Sequence, residues 1–361
     1  MAKDNIPEDL KFEDIPSYQD VLTKLGDRRH KRYAKHLIMG NGFSMSYDHK
    51  IFSYNALYDF IDNLKDPTLS KLFEVINTKN FELIMRQLDS FIEIAKAFDT
   101  DAKLIEALED ANKLLQTSLI DAVSELHPEH VFEVEEDRSK ACFNFLNEFL
   151  KNDGKVFSTN YDLLLYWVLL RNESKEANDG FGREHLNPVE TRRGQEDAEY
   201  GELFWGKHKE DQKVFHVHGT LPIFDTGTEI EKEVYKDRRY LLENIKERMN
   251  KKDYPVFVTA GDGEEKLNHI YHNRYLTFCY EKLCNITGYL VSFGFNFGEY
   301  DYHIIEAVNK AAKRGAQSGD KLFSIYIGVY SPEDLEYIKS VQDMFDCKVN
   351  VYNSQTANIW G

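Results

Sequence analysis

Residues 155–162 place three polar side chains directly after a short apolar run, where chemistry is expected. The run leads into Thr159, Asn160 and Asp162, and an apolar helical pattern then resumes. This order predicts a buried strand whose carboxyl end delivers the three side chains to a crevice, with a helix leading away. Asn and Asp at such a position can hydrogen-bond sugar hydroxyls or position a water molecule. The alternative is that they only cap the following helix.

A glycine-containing turn follows the first predicted strand, residues 36–39. The turn reads Gly40-Asn41-Gly42-Phe43-Ser44. Its glycines allow a tight turn and a close approach of a ligand to the backbone, while the next helix points free N–H groups at any phosphate. A dinucleotide-binding fold places its phosphate loop here, although the third glycine of the usual motif is absent. Taken alone, the segment also fits an ordinary turn.

Two histidines mark a third segment, residues 213–220, which is predicted as one strand ending in Gly-Thr. Alternation along a strand places His216 and His218 on the same face. They are a metal pair, or His218 is a working base with His216 packed below it, or both are hydrogen-bonded core residues. No carboxylate or third histidine lies close in sequence, so we expect no metal site.

A fourth segment, residues 288–298, is predicted as a buried strand followed by a loop of small and aromatic residues. Ser292 and Gly294 permit close backbone contact with a ligand. Phe295 or Phe297 could stack on a base.

The order of these segments predicts an α/β fold. Strands alternate with helices, and several strands end in glycine or small polar residues, as in a Rossmann-like, doubly wound, mostly parallel sheet with ligands at the carboxyl ends. We expect an N-terminal arm at residues 1–35 and one domain at 36–361. The domain would carry a helical insertion at about 51–130 and an exposed excursion at about 171–212.

Composition excludes several classes of protein. The chain has 361 residues, and 45 basic against 62 acidic side chains give a net charge of −17. This charge disfavours nucleic acid or an anionic membrane as the main partner. The four cysteines are scattered and lack the spacing of a zinc ribbon. Without an apolar run long enough to cross a bilayer or a signal-peptide core, the default expectation is a cytoplasmic protein.

Taken together, the four motifs occur in the order found in sirtuin-like NAD-binding domains. They are residues 40–44, 158–162, 218–219 and 292–295. The chain resembles more closely the bacterial sirtuin-like NADases of antiphage defence. Residues 254–259 with Lys266, Tyr275 and Leu276 are also similar to stand-alone bacterial sirtuin-like proteins of uncharacterised function. The resemblance spans residues 37–351, interrupted by insertions.

The resemblance implies an NAD site whose parts come from all four motifs. The residues lining the phosphates would be Gly40, Asn41, Gly42 and Ser44. Those facing the nicotinamide ribose would be Thr159, Asn160 and Asp162. His218 would be the catalytic histidine, with Asn160 orienting the water or ribose. The adenosine side would be held by Ser292, Gly294 and Phe295.

Two departures from the sirtuin pattern are present, of which the first bears on the backbone contacts of the first loop and the second on the expected activity. Asn41 stands where sirtuins usually carry Ala between the glycines, and the four zinc cysteines of the deacetylases are missing. Hydrolysis of NAD is therefore expected ahead of protein deacylation or ADP-ribosyl transfer. The resemblance also implies an effector of antiphage defence that depletes NAD. Its activity would depend on a homo-oligomer or on a co-encoded ATPase or nucleotide-sensing partner. The alternative is a non-catalytic sensor or regulatory subunit that binds NAD or ADP-ribose.

Overall fold

The computed structural model describes residues 6–48, 65, 67–76, 81–98, 101–126, 128, 130–151, 153–183, 203–235, 239–258, 263–313 and 321–361. Its strands are β1 (Lys35–Met39), β2 (Val156–Ser158), β3 (Phe181–Gly182), β4 (Leu203–Trp205), β5 (Val214–His216), β6 (Gly219–Asp225), β7 (Ile230–Lys232), β8 (Pro255–Phe257), β9 (Gly288–Phe293), β10 (Leu322–Val329) and β11 (Lys348–Asn353). Its α-helices are α1 (Tyr18–Gly26), α2 (Asn41–Tyr47), α3 (Pro67–Ile76), α4 (Phe81–Ala97), α5 (Ala102–Leu126), α6 (Glu136–Leu150), α7 (Leu164–Arg171), α8 (Leu241–Asn250), α9 (Gly263–His272), α10 (Arg274–Cys284), α11 (Tyr302–Lys313) and α12 (Pro332–Val341).

Six strands form a fully parallel sheet in the order β11-β10-β9-β1-β2-β5. If these six strands are renumbered 1 to 6 along the chain, their order in the sheet is 6-5-4-1-2-3, which is the strand order of a Rossmann fold. The first three strands extend the sheet to one side of the first strand, and the fourth begins the other side. The reversal point of the sheet therefore lies between the first and fourth strands. Those two strands are β1 and β9, which pair over their full common length. The predicted α/β class with a doubly wound parallel sheet is confirmed.

Burial on both faces explains the apolar runs of the central strands. Leu37 and Met39 of β1 pack into one hydrophobic core and Ile38 into a second, and all three side chains are fully buried. A parallel sheet covered by helices on both sides needs such continuous apolar strands, because alternate side chains point to opposite faces. The helices that flank it include α6, which lies against β1 and β2, and α11, which lies against β10.

A second, antiparallel sheet has the order β3-β4-β7-β6-β8. The prediction of one strand at residues 213–220 is wrong, since β5 ends at His216 and β6 begins at Gly219 in this other sheet. Gly219 makes the change of sheet possible. Its φ of +78° suits glycine, and a Cβ there would lie 1.9 Å from the carbonyl oxygen of Val256. Residues 171–212, predicted as an excursion, contribute β3 and β4.

Helices α3, α4 and α5 make up the described part of the predicted helical insertion, and the described residues between 65 and 130 include no strand. Ile84, Leu88 and Leu115 are buried where these helices pack together. An ion pair from Asp89 Oδ1 to Lys252 Nζ, 2.6 Å apart, connects α4 to the loop before β8. The first part of the predicted insertion, residues 51–64, lies outside the described residues.

The N-terminal segment, predicted as an arm, is packed against the domain: Lys339 Nζ of α12 donates to the carbonyls of Glu8 and Leu10, and residues 16–18 lie at the end of the last strand. Asn353 N–H donates to the carbonyl of Pro16 at 2.9 Å, and Tyr18 N–H donates to Thr356 Oγ1 at 2.8 Å. Ser17 begins α1 with a reciprocal capping box, in which its hydroxyl accepts from the backbone of Asp20. None of the described helices combines the length and apolar character that a membrane span requires.

Candidate functional site

The turn after β1 and the turn after β9 touch each other through glycine backbone. Gly40 N–H donates to the carbonyl of Phe293 at 3.1 Å, and Gly42 N–H donates to the carbonyl of Gly294 at 2.8 Å. A Cβ on Gly42 would lie 2.6 Å from Gly294 Cα, and Gly294 itself has a φ of +62°. This contact needs two glycines, and it brings the first and fourth predicted motifs together at the reversal point of the sheet, where open α/β sheets bind ligands.

The turn after β1 is also linked to the turn after β2 by side chains. The hydroxyl of Ser44, on α2, donates to Asp162 Oδ2, and Asn160 Nδ2 donates to Ser44 Oγ at 2.9 Å. Ser44 and Asp162 are buried, whereas Asn160 is half-buried. The structure therefore brings Ser44, Asn160 and Asp162 into one network, in which Asn160 is the partly exposed residue.

Asp162 also caps a helix, the alternative role that the sequence left open. Its Oδ1 accepts the N–H of Leu164, the first residue of α7, at 2.9 Å. One carboxylate thus serves both the helix and the network with Ser44. Burial raises the pKa of Asp162 from 3.8 to about 6, while the hydrogen bonds from Ser44 and Leu164 act in the opposite direction.

Thr159 and Asn41 use their side chains within the protein. Thr159 donates both its N–H and its hydroxyl to the carbonyl of Met39, at 3.0 and 3.1 Å, which fixes the end of β2 against β1. The amide of Asn41 reaches along α2 to Met45 Sδ at 3.1 Å. Both residues lie at the predicted edge, and these contacts make Thr159 a positioning residue for the turn.

His218 lies in the two-residue turn between the sheets, beside the end of β2. The neighbouring Val217 N–H donates to the carbonyl of Ser158 at 2.9 Å. The imidazole Nε2 of His218 lies 2.8 Å from His303 Nε2, with the ring centroids 5.0 Å apart and the ring planes inclined by 27°. His303 stands at the start of α11, so His218 is placed at the carboxyl edge of the sheet together with a second histidine.

The surroundings of this histidine pair keep it neutral. His218 is 1% exposed and His303 2%. Burial lowers the pKa of both, with the charge of Lys266 acting in the same direction, and the pKa of His303 falls to about 3. Lys266 is itself buried, and its Nζ lies 2.8 Å from Asp301 Oδ1.

His216 differs from His218. It ends β5 inside the sheet, where burial lowers its pKa to about 4. Among the described residues, the cluster of metal-ligating side chains that contains His218 also contains Asp301 and His303, and His216 is not part of it. The predicted His216–His218 pair on one strand face is therefore wrong, because the strand ends between them.

The residues predicted for the adenosine side lie deeper than a ligand surface. Ser292 is fully buried, and its carbonyl accepts the hydroxyl of Tyr352 at 2.9 Å. Phe295 and Phe297 are also buried and pack edge to face, with ring centroids 4.7 Å apart. Neither ring is presented for stacking on a base in this conformation. Gly294 alone of the predicted set takes part in the glycine contact of the turn.

Three residues beside His218 received no role from the sequence: Lys266, Asp301 and His303. The signal available was their position, because Asp301 and His303 flank the start of the helix that follows β9, at the same edge as the other motifs. The pairing of His303 with His218 joins positions 85 residues apart, which no local pattern specifies.

Comparison with known proteins gives one family. Residues 37–360 match the family described as "Domain of unknown function (DUF4917)". Curated proteins provide no significant match to the chain.

Proposed function

Because the chain belongs to the DUF4917 family, whose description assigns no activity, we propose from the site itself that the protein is an NAD glycohydrolase. It would cleave the bond between nicotinamide and ribose with water, giving ADP-ribose, nicotinamide and a proton. The proposal also rests on the resemblance of the four motifs to sirtuin-like NADases.

The observation that carries this proposal is the network of Ser44, Asn160 and Asp162, which joins the ends of β1 and β2 beside the reversal point between β1 and β9. A Rossmann-like sheet binds a dinucleotide across that point, with the pyrophosphate near the turn after the first strand. Within these turns the backbone of Gly42 lies against Gly294 and the Phe295 ring against Gly40, so a phosphate would have to approach the turn after β1 from its other side. Asn160 retains amide hydrogen-bonding capacity beside it, for a ribose hydroxyl or a water.

The reaction needs little assistance from the protein at the leaving group. Nicotinamide departs from NAD as an uncharged molecule, so the reaction needs no acid there, and positive charge develops on the ribose. The protein has to orient the attacking water, the task proposed for Asn160, and to receive its proton, the task proposed for His218. A positioned base contributes roughly 10²–10⁴-fold to the rate.

The burial of His218 favours regulation of this activity. Its imidazole is 1% exposed and its Nε2 faces His303, so the base has to become accessible before it can accept a proton from water. We include in the proposal that the described conformation is a resting state. Assembly of several copies, or a co-encoded ATPase or nucleotide-sensing partner, would release it. Such control fits a cytoplasmic effector of antiphage defence, because constant hydrolysis would deplete the NAD of its own cell.

The same observation favours a second candidate, a sensor that binds NAD or ADP-ribose without turnover. A histidine that stays buried against His303 cannot act as a base, while the turns around Gly42 and the amide of Asn160 remain able to bind. The two candidates share a ligand and differ in whether nicotinamide is released.

The test is to incubate the purified chain with NAD and follow nicotinamide by chromatography, alone and then with its co-encoded neighbours. We expect release by the wild type under an activating condition, and loss of release in Asn160→Ala and in His218→Ala. The matched controls are the exposed residues Asn285→Ala and His272→Ala, which should retain activity.

Binding of NAD and of ADP-ribose, measured by calorimetry, separates the outcomes. Binding without nicotinamide release under every condition supports the sensor. Absence of binding, or wild-type turnover in both Asn160→Ala and His218→Ala, contradicts the proposed site.

A further inference from the structure

The cluster of His218, His303 and Asp301 has a composition that NAD cleavage does not require. One ligand atom from each residue, an imidazole nitrogen or a carboxylate oxygen, lies within 4.8 Å of the others. The two Nε2 atoms face each other at 2.8 Å in a buried setting. Two neutral imidazoles in that arrangement either share one proton or coordinate a common ion, because two lone pairs facing each other repel.

We propose that His218, His303 and Asp301 bind a divalent transition-metal ion such as Zn²⁺ through the two Nε2 atoms and one carboxylate oxygen. The proposal does not depend on NAD hydrolysis, since the three ligands and their geometry involve no nucleotide. An ion on Nε2 of His218 fits the resting state proposed above, because this nitrogen has to lose the ion before it can accept a proton from water.

The spacing of the two nitrogens is close to that of a metal site. Zinc–nitrogen bonds of about 2.0–2.1 Å at tetrahedral angles place two ligand nitrogens about 3.4 Å apart. The observed 2.8 Å between His218 and His303 is shorter by about 0.6 Å, so the two rings have to move apart by about that distance when an ion binds. Three protein ligands leave a fourth position for water or another small ligand, the pattern of open zinc sites.

The two imidazole ligands determine which ions the cluster accepts. The ammonium of Lys266 pairs with Asp301 Oδ1 at 2.8 Å and so orients the carboxylate. The same positive charge opposes a bound cation. Mg²⁺ and Ca²⁺ prefer all-oxygen sites and bind weakly to imidazole, whereas Zn²⁺ and Co²⁺ form strong bonds to it. The cluster should therefore take up zinc or cobalt and exclude magnesium and calcium.

The experiment uses the full chain, from which any bound metal is first removed with a chelator and the chelator is then removed by dialysis. Co²⁺ is added and its visible absorption recorded, since bound Co²⁺ in a site of low coordination number absorbs far more strongly than the hydrated ion. Zn²⁺ affinity is measured by competition with a chromophoric chelator, and stoichiometry by elemental analysis. We expect one ion per chain and displacement of Co²⁺ by Zn²⁺, with no effect of Mg²⁺ at the same concentration.

Two ligand variants and one control identify the site. His303→Gln and Asp301→Asn should each weaken zinc binding at least tenfold, while His272→Ala, at an exposed histidine on α9, should leave it unchanged. If His303→Gln fails to fold, the zinc affinity of Asp301→Asn still tests the site. The Asp301 side chain is 20% exposed, and asparagine has the same shape as aspartate. Absence of stoichiometric zinc binding, or equal affinity in wild type and Asp301→Asn, would overturn the proposal in favour of a proton shared between the two imidazoles. Since none of these measurements uses NAD, failure here leaves the proposed hydrolase intact.

Discussion

Replacing Asp162 by Asn tests the electrostatics at the centre of the candidate site. The carboxyl group is 3% exposed, and burial raises its pKa from 3.8 to about 6. A carboxyl group with a raised pKa stabilises the folded state below its unfolded pKa, because the fold then holds the neutral form. That stability is lost as the pH rises through the folded pKa.

The size of the effect follows from the two pKa values. Each pKa unit corresponds to about 1.4 kcal/mol, so the complete shift amounts to about 3 kcal/mol. Roughly 2 kcal/mol of this falls between about pH 4.5 and pH 7.5, because the unfolded chain is already partly ionised at the lower value. Asparagine keeps an oxygen for the N–H of Leu164 and cannot ionise. The wild type should therefore lose about 2 kcal/mol relative to Asp162→Asn over this interval.

The assay is urea denaturation of both proteins at several pH values, with the difference in unfolding free energy plotted against pH. Taking the difference removes the titration of all other groups and any constant cost of altering the bond to Ser44. Asp153→Asn, at an exposed carboxyl group in the loop before β2, is the matched control and should parallel the wild type. A difference between wild type and Asp162→Asn that stays constant across the range would refute the reasoning, since the buried carboxyl group would then not titrate there.

Two further variants separate structural from functional roles in the site. Gly42→Ala should destabilise the fold by roughly 1–3 kcal/mol, because its Cβ would lie 2.6 Å from Gly294 Cα. Gly26→Ala is the control and should not destabilise the fold, since no atom lies within 4 Å of its Cβ. Urea denaturation measures the stability of both variants, and equal stability would contradict the glycine contact. Asn160→Ala should cost only about 1 kcal/mol, the loss of its hydrogen bond to Ser44, while nicotinamide release is abolished. A loss of several kcal/mol together with normal turnover would make Asn160 structural.

Local patterns were sufficient for the parallel sheet and for the turns that end its strands. The apolar run at residues 36–39 had to be a strand buried on both faces, and the glycines after it had to form a turn, because both properties depend on neighbours in sequence. The same holds for the polar residues after β2. Of the two roles considered for Asp162, the structure shows the helix cap, and the second carboxylate oxygen accepts the hydroxyl of Ser44.

The second sheet was not predicted, because its strands are short and its pairing joins distant segments. β4 pairs with β7, and β6 pairs with β8, across stretches whose hydrophobic pattern gives no register. Residues 213–220 look like one strand in sequence. Only the close approach of the Val256 carbonyl to Gly219 in the folded chain divides them between two sheets.

The sequence by itself determined the fold class, the buried strands and the polar or glycine residues at their carboxyl ends. These depend on side-chain type and on periods of two or three to four residues, which are local properties. Tertiary structure decided which of those residues meet: Ser44 with Asn160 and Asp162, and His218 with His303 beside Asp301. Such contacts join segments separated by more than 80 residues, so they depend on the order of strands in the sheet and on the packing of whole helices.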